Sequence, residues 1–326
     1  MKANWFPALI FLITLVVVAT DSIGTYRSRQ NIHKKLATTT ASPQAPWRGW
    51  SKYQIPGYNK QGELIRYGYD LIANTSHYLG PNGMVAQITN GLNCQNCHLE
   101  AGTLPYGNNF GKVFSTYPRY RARNNGVQDI YDRVNDCLQR SLNGKAIDTA
   151  SREMQAIFAY IKWLDDGIPQ GIALPGTSLM KLPYLDRAAD PVAGGMAYTA
   201  KCQSCHGSSG QGEHNADKDG YTYPPLWGAH SYNDGAGLFR LGSFAAFVKN
   251  NMPFGTDFHK PALSNEEAWD VAAFVNSHER PHMDQSADWQ DLSQKPVDYP
   301  YGPYIDTFSE KQHKYGPFAP IKNFKK

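Results

Sequence analysis

Two short stretches of this 326-residue chain, CQNCH at residues 94–98 and CQSCH at residues 202–206, share the pattern Cys-x-x-Cys-His. In this pattern the two cysteines form thioether bonds to the vinyl groups of one haem, and the histidine gives an axial nitrogen to the iron. The two motifs use four of the five cysteines of the chain. The sequence therefore predicts a dihaem c-type cytochrome, with iron in both haem c groups. The predicted attachment residues are Cys94, Cys97 and His98 for the first haem and Cys202, Cys205 and His206 for the second.

The composition is that of a folded protein with long ordered loops. Hydrophobic residues make up 41% and charged residues 18%, and the chain contains 29 glycines and 21 prolines. Its formal net charge of +4 is small for this length, so the sequence gives no indication of nucleic-acid binding.

The N-terminus has the features of an export signal. A basic start at Lys2 is followed by an apolar run over residues 5–19, which predicts a signal peptide over residues 1–19 with cleavage after Ala19. A retained membrane anchor is the alternative, although the run is somewhat short for a membrane span. Either way we expect an exported, periplasmic protein. Residues 20–50 are polar and rich in Thr, Ser and Pro near their end, which predicts a linker.

The rest of the chain reads as two copies of one plan: a helix, a haem motif, a loop, a candidate distal ligand and a closing helix. The pattern predicts an all-α fold of two tandem class I cytochrome c-like domains, over residues 51–175 and 185–280. Residues 281–326 have no helical or strand period and are predicted to form an irregular C-terminal strap. The closing helices are expected over about 151–164 and from a capping box at Ser264.

The second domain offers a methionine as the sixth iron ligand. Met252 lies just before Pro253, in the loop ahead of the closing helix. A thioether ligand favours ferrous iron and raises the reduction potential. Lys249 is a lesser alternative as ligand, and a methionine that fills a core gap is the structural alternative.

The first domain has no methionine at the matching place and has Cys137 instead. Within the predicted helix, Arg133, Cys137 and Ser141 form one stripe beside an apolar stripe of Ile130, Val134 and Leu138. A thiolate ligand would lower the potential of the first haem, making it the reactive haem and the second the electron exit. The alternative is a small buried side chain, although a lone thiol in an oxidising compartment is a liability unless it is used.

Basic residues are concentrated around Cys137. Arginine gives planar, multi-donor recognition of oxyanions, and Ser141 adds a neutral donor, so this segment indicates an anionic substrate. A solvated surface, tempered by nearby aspartates, is the alternative. The basic residues are Arg119, Arg121, Arg123, Arg133, Arg140 and Lys145.

At residues 93–102, 133–145 and 247–253 the chain resembles the dihaem thiosulfate dehydrogenases, which also act as tetrathionate reductases, and the resemblance covers about residues 55–280. It implies that His98 and Cys137 ligate the first iron, and His206 and Met252 the second. It further implies a substrate pocket lined by Arg123, Arg133 and Ser141. Some members have a lysine directly before the methionine that replaces it as ligand, whereas this chain has Asn251 there.

The resemblance implies oxidative coupling of two thiosulfates to tetrathionate, in a reaction that can reverse. Electrons would leave through the second haem to a small cytochrome c or another high-potential acceptor. Two such dianions about 4 Å apart repel by on the order of 16 kcal/mol at an effective dielectric near 20, so fixed cations are required. We also consider that Cys137 binds a substrate sulfur covalently between two half-reactions.

Other functions are compatible with the haem motifs. The leading one is a non-enzymatic dihaem electron carrier, which leaves Cys137 and its arginines without a role. Another is a different sulfur-compound cytochrome that acts on a carrier-bound substrate.

Overall fold

The computed structural model describes residues 46–168 and 174–325. The predicted signal peptide or anchor and residues 20–45 of the predicted linker lie outside the described residues. From Pro46 onward the chain forms one compact unit. None of the helices in the described ranges is long and apolar enough to cross a lipid bilayer.

Short and medium helices dominate the described residues, with two small antiparallel hairpins in the loops. The first hairpin pairs Arg119 with Gln128 and Arg121 with Gly126. The all-α prediction with long irregular loops is confirmed. In chain order the elements are α1 (Lys60–Ala73), α2 (Thr75–Leu79), α3 (Leu99–Gly102), β1 (Arg119–Arg121), β2 (Gly126–Gln128), α4 (Ile130–Arg140), α5 (Arg152–Leu164), α6 (Pro191–Lys201), α7 (Gln203–His206), β3 (Glu213–His214), β4 (Tyr221–Tyr223), α8 (Leu241–Asn251), α9 (Asn265–Ser277), α10 (Glu310–Tyr315) and α11 (Phe318–Phe324).

In the first half, α1 packs across the closing helix α5. The buried face of α5 carries Met154, Ile157, Ile161 and Leu164, at the helical spacing that predicted this helix. The two backbones meet at Gly68, where an added Cβ would lie 2.0 Å from the carbonyl oxygen of the facing helix. Only glycine allows so close a contact.

The second half repeats this arrangement. Helices α6 and α9 pack together, and a Cβ at Gly194 would lie 1.9 Å from a carbonyl oxygen of α9. Asp190 caps α6 by accepting from the N–H of Val192, and Ser264 and Glu267 form the predicted capping box of α9. The same glycine crossing in both halves is the structural counterpart of the repeat seen in the sequence.

The C-terminal strap is more ordered than the sequence predicted. The expectation of an irregular tail is wrong for residues 310–315 and 318–324, which form α10 and α11. Phe318 and Ile321 of α11 are buried in the core of the second half, against Trp269 among others. His313 is fully buried, with its ring nitrogens hydrogen-bonded to the Val297 carbonyl and Asp306. These helices are too short to show a period, and contacts distant in sequence stabilise them.

Candidate active site

The first haem motif is docked on the junction between α1 and α2. The N–H of Cys94 donates to Thr75 Oγ1 at 3.0 Å, and Gln95 donates to the carbonyl of Ala73 at 2.6 Å. Asn93 and Asn96 close a capping box around the motif. The segment is therefore fixed by local hydrogen bonds, and Cys94 and His98 both line one cavity of about 400 Å³.

The ring of His98 is prepared as an iron ligand. Its Nδ1 hydrogen-bonds to the carbonyl of Asn108, and the ring stacks on Phe110 with centroids 4.4 Å apart. Burial lowers its pKa to about 4, so the imidazole is neutral at physiological pH. With the proton held on Nδ1, the Nε2 lone pair is free to bind a metal.

The second motif has the same construction. The Nδ1 of His206 hydrogen-bonds to the carbonyl of Pro224 at 2.9 Å, and burial lowers its pKa. Burial also raises the pKa of Cys202 to about 11, so this sulfur is uncharged in its apolar surroundings. Each motif therefore presents a histidine with Nε2 free to bind iron, next to two cysteines for haem attachment.

The structure places Cys137 in the same cavity as the first motif. It lies on α4 and lines the cavity with Cys94, Cys97 and His98. Burial raises the pKa of Cys94 to about 11 and that of Cys97 to about 12, and the nearby Cys137 thiol adds to both shifts. The sulfur of Cys137 is thus close enough to interact electrostatically with both attachment cysteines.

Arg133 and Ser141 lie one turn before and one turn after Cys137, and both line the cavity. The guanidinium of Arg133 lies beside the side chain of Cys137, and the interaction with Cys137 is the largest cause of the raised pKa of Arg133. A neighbouring cation favours the thiolate, the form that binds metal or attacks sulfur. All three residues of the predicted stripe line the cavity, and so do Ile130, Val134 and Leu138 of the apolar stripe that was expected to face the core.

Arg123 also lines the cavity, but its charge is largely offset. Its Nη2 contacts a carboxylate oxygen of Asp136 at 2.6 Å, and both side chains are only about a tenth exposed. Burial alone would raise the pKa of Asp136, but Arg123, with smaller contributions from Arg133 and Arg140, turns the net shift downward. Arg123 is therefore a paired cation, with a weaker field at the cavity than the sequence suggested.

The other basic residues of this segment divide into three kinds. Arg140 is paired in bidentate fashion with Asp288 of the strap, at 2.8 Å for both contacts. Arg119 and Lys145 are exposed and do not line the cavity. Arg121 does line it, and its Nη1 donates to the Tyr117 hydroxyl at 3.3 Å.

Arg121 was noted in the sequence as one of the basic residues near Cys137, but it was not predicted to line the substrate pocket. Burial lowers its pKa, and the adjacent Arg133 is the next largest cause. In the described part of the chain, the ion pairs of this segment involve Arg123 and Arg140, so Arg121 and Arg133 have no carboxylate partner there. The Asn125-Gly126 turn, which predicts a hairpin, was the signal that could have placed Arg121 on a strand beside the cavity.

In the second half, Met252 is the C-cap of α8 and is partly buried against the same core as Cys202. Lys249 donates through Nζ to the carbonyl of Leu263, so its amine is engaged outside the ligand position. Asn251 donates to the carbonyls of Phe247, at 2.9 Å, and of Tyr106 in the first half, at 3.2 Å. Of the two candidate ligands, the amine of Lys249 is therefore engaged in a hydrogen bond, while Met252 lies beside the core that also contacts Cys202.

Two helical units with matching crossings, each holding a Cys-x-x-Cys-His motif and a neutral histidine, define a two-domain c-type cytochrome. A family model described as SoxA/TsdA, cytochrome c domain, matches residues 85–169, and one described as Cytochrome c matches residues 192–279. These matches fall on the two halves and leave the strap outside both.

Several curated relatives carry the same name. The thiosulfate dehydrogenase of Stutzerimonas stutzeri is 39% identical over 223 residues, which are 68% of this chain and 69% of that protein. The thiosulfate dehydrogenase of Allochromatium vinosum is 41% identical over 224 residues, which are 68% of this chain and 79% of that protein. The chain belongs to the family of dihaem thiosulfate dehydrogenases, and its cofactors are two covalently bound haem c groups.

A solved structure shows the same fold. The thiosulfate dehydrogenase TsdBA from Marichromatium purpuratum, in its as-isolated form, superposes with a TM-score of 0.66 at 32% identity. The match covers 72% of this chain and 50% of the other. This chain therefore spans half the length of that protein.

Proposed function

We propose that this protein couples two thiosulfates oxidatively to tetrathionate in the cavity that also holds the first haem. The reaction releases two electrons for each S–S bond formed, and two one-electron haems hold both. The observation that carries the proposal is that Cys137 lines the cavity of His98 beside Arg133, a cation that has no carboxylate partner among the described residues. A simple electron carrier requires neither the thiol nor the cation.

In this proposal the two haem domains comprise residues 51–175 and 185–280. His98 and Cys137 ligate the first iron, and His206 and Met252 ligate the second. Both histidines hold a proton on Nδ1, which leaves Nε2 as the ring nitrogen available to bind iron. This supports their proposed role as axial ligands. When bound, the first haem supplies the oxidant for the substrate and the second passes electrons onward.

Fixed cations in the cavity offset the electrostatic repulsion between the two thiosulfate dianions. Arg133 and Arg121 lie in the cavity without carboxylate partners among the described residues, so their charge is available to the substrate. Preorganised cations in a water-poor site stabilise such an approach with little reorganisation. Arg123, held by Asp136, is assigned a positioning role, and Ser141 a neutral hydrogen bond.

The proposed axial ligands give the two haems different reduction potentials, which sets the direction of electron transfer. A thiolate lowers the potential of the first haem and a thioether raises that of the second, so electrons move from the first to the second. The acceptor is proposed to be a small cytochrome c or another high-potential carrier in the periplasm. Because the reaction involves only electron transfer and S–S exchange, tetrathionate reduction is proposed as the reverse reaction at sufficiently low potential.

Cys137 is also proposed as a covalent carrier. After its sulfur leaves the first iron, the Cys137 thiolate and one thiosulfate form a Cys–S–S bond, and the haems would accept the two electrons released. A second thiosulfate then attacks the sulfur bound to Cys137, which releases tetrathionate and restores the thiolate. Arg133 stabilises the thiolate in both its starting and its leaving form.

The test uses the purified full-length dihaem protein. Thiosulfate alone should reduce its haems and yield tetrathionate, whereas an electron carrier would stay oxidised. Cys137→Met keeps a sulfur ligand but removes the nucleophile, so turnover should fall by orders of magnitude. Near wild-type turnover in this variant would exclude the covalent role of Cys137.

A further inference from the structure

The strap crosses the first half of the molecule beside the candidate active site. Asp288 binds Arg140 through two contacts of 2.8 Å, and both side chains are 7% exposed. The N–H of the next residue, Trp289, donates to the carbonyl of Arg123 at 2.9 Å. This part of the strap is therefore held from two sides against residues of the cavity segment.

Trp289 lines the cavity in an unusual backbone conformation. Its φ is +60°, in the left-handed region that bulky residues rarely adopt. Such conformations persist where surrounding contacts enforce them, and they are concentrated at functional sites. Next to it lie the Asp288–Arg140 pair and the hydrogen bond from the Trp289 N–H to the Arg123 carbonyl.

The indole N–H of Trp289 is buried without an acceptor of hydrogen-bonding geometry among the described residues. The ring of Tyr299 packs edge-on against the indole, with ring centroids 5.5 Å apart, and its hydroxyl donates to Gln285. Burial and Asp288 raise the pKa of that hydroxyl to about 12, and the indole N–H, which approaches the hydroxyl without reaching hydrogen-bonding geometry, opposes the rise. A buried donor without a partner is costly, so this N–H is suited to an acceptor brought by a ligand.

We infer that Trp289 donates a hydrogen bond to an anionic oxygen of the substrate in the first-haem cavity. The indole N–H is only a donor, which suits sulfonate oxygens, and the same cavity holds Arg121 and Arg133. The assignment rests on the proposed function and extends it, because the strap completes the pocket from outside both matched domains. A haem carboxylate offers the same acceptor chemistry, and the experiment separates the two sources.

The test measures binding of tetrathionate to the fully oxidised protein, which has no electrons to reduce it, by calorimetry. Trp289→Phe keeps the ring and removes the N–H, and we expect the dissociation constant to rise about tenfold or more. Trp269→Phe is the matched control. It removes an indole N–H that donates to the Pro183 carbonyl in the core of the second half. Because this indole lies away from the first-haem cavity, tetrathionate binding should be unchanged.

Haem content and thermal unfolding establish that the variants are folded. If Trp289→Phe does not fold, 3-benzothienylalanine is incorporated at position 289 instead, because it keeps the shape of the indole and replaces only its N–H by sulfur. Unchanged tetrathionate binding would overturn the assignment, and a shift of the first-haem potential with unchanged binding would assign the N–H to a haem carboxylate instead. Failure of the wild-type protein to bind tetrathionate or to be reduced by thiosulfate would count against the proposed function itself.

Discussion

Replacing Arg133 by methionine removes the guanidinium beside the Cys137 thiol while keeping the length of the side chain. A cation about 4 Å from a dianion attracts it by on the order of 8 kcal/mol at an effective dielectric near 20, roughly half the repulsion between two dianions at that distance. Desolvation offsets much of this attraction. Loss of one preorganised donor in an active site lowers kcat by about 10²–10³, and we expect a loss of that size here.

The assay follows thiosulfate oxidation with a high-potential acceptor and quantifies tetrathionate. Arg119→Met is the control, because Arg119 lies in the same segment but is exposed and does not line the cavity. The defect of Arg133→Met should persist at high salt, whereas any small effect at Arg119 should be screened. Activity of Arg133→Met within threefold of the wild-type value would refute the role of this cation.

Three further predictions concern the fold, the second haem and pH. Gly68→Ala should destabilise the first half by about 3 kcal/mol or more in denaturant unfolding, because its Cβ would overlap the α5 backbone, whereas Gly57→Ala, with open space around it, should have little effect. Met252→Ala should lower the potential of the second haem in a redox titration and leave that of the first haem unchanged. A second-haem potential equal to the wild-type value would contradict the role of Met252 as ligand. Hydrogen bonds from Asn215 and His77 hold the pKa of Asp219 below its ordinary value, so its stabilising contribution exists above about pH 4 and is lost as pH falls through the folded pKa. Asp219→Asn should remove that part of the pH dependence of the unfolding free energy. An unchanged pH profile would show that the hydrogen bonds of Asp219 to Asn215 and His77 contribute nothing to stability.

Features encoded locally were predictable from the sequence. The haem motifs, the caps at Asp190 and Ser264 and the buried face of α5 depend on residues within a few positions of one another. The stripe that carries Cys137 was predictable for the same reason, since helical spacing alone sets which side chains share a face.

Features that depend on contacts distant in sequence were not predictable. The pairing of Arg123 with Asp136 depends on how the hairpin folds back on α4, and it changes which arginines are free to act on a substrate. The burial of α11 and the position of Trp289 depend on the strap crossing both halves. No period in the strap marks these contacts, because each involves one or two side chains.

The central claim is that sulfur from Cys137 ligates the first haem iron. Low-temperature electron paramagnetic resonance of the oxidised full-length protein tests it most directly. We predict two low-spin ferric haems, one with the signature of a thiolate ligand that disappears in Cys137→Met while both haems remain attached. A spectrum without a thiolate-ligated haem in the wild-type protein would contradict the account.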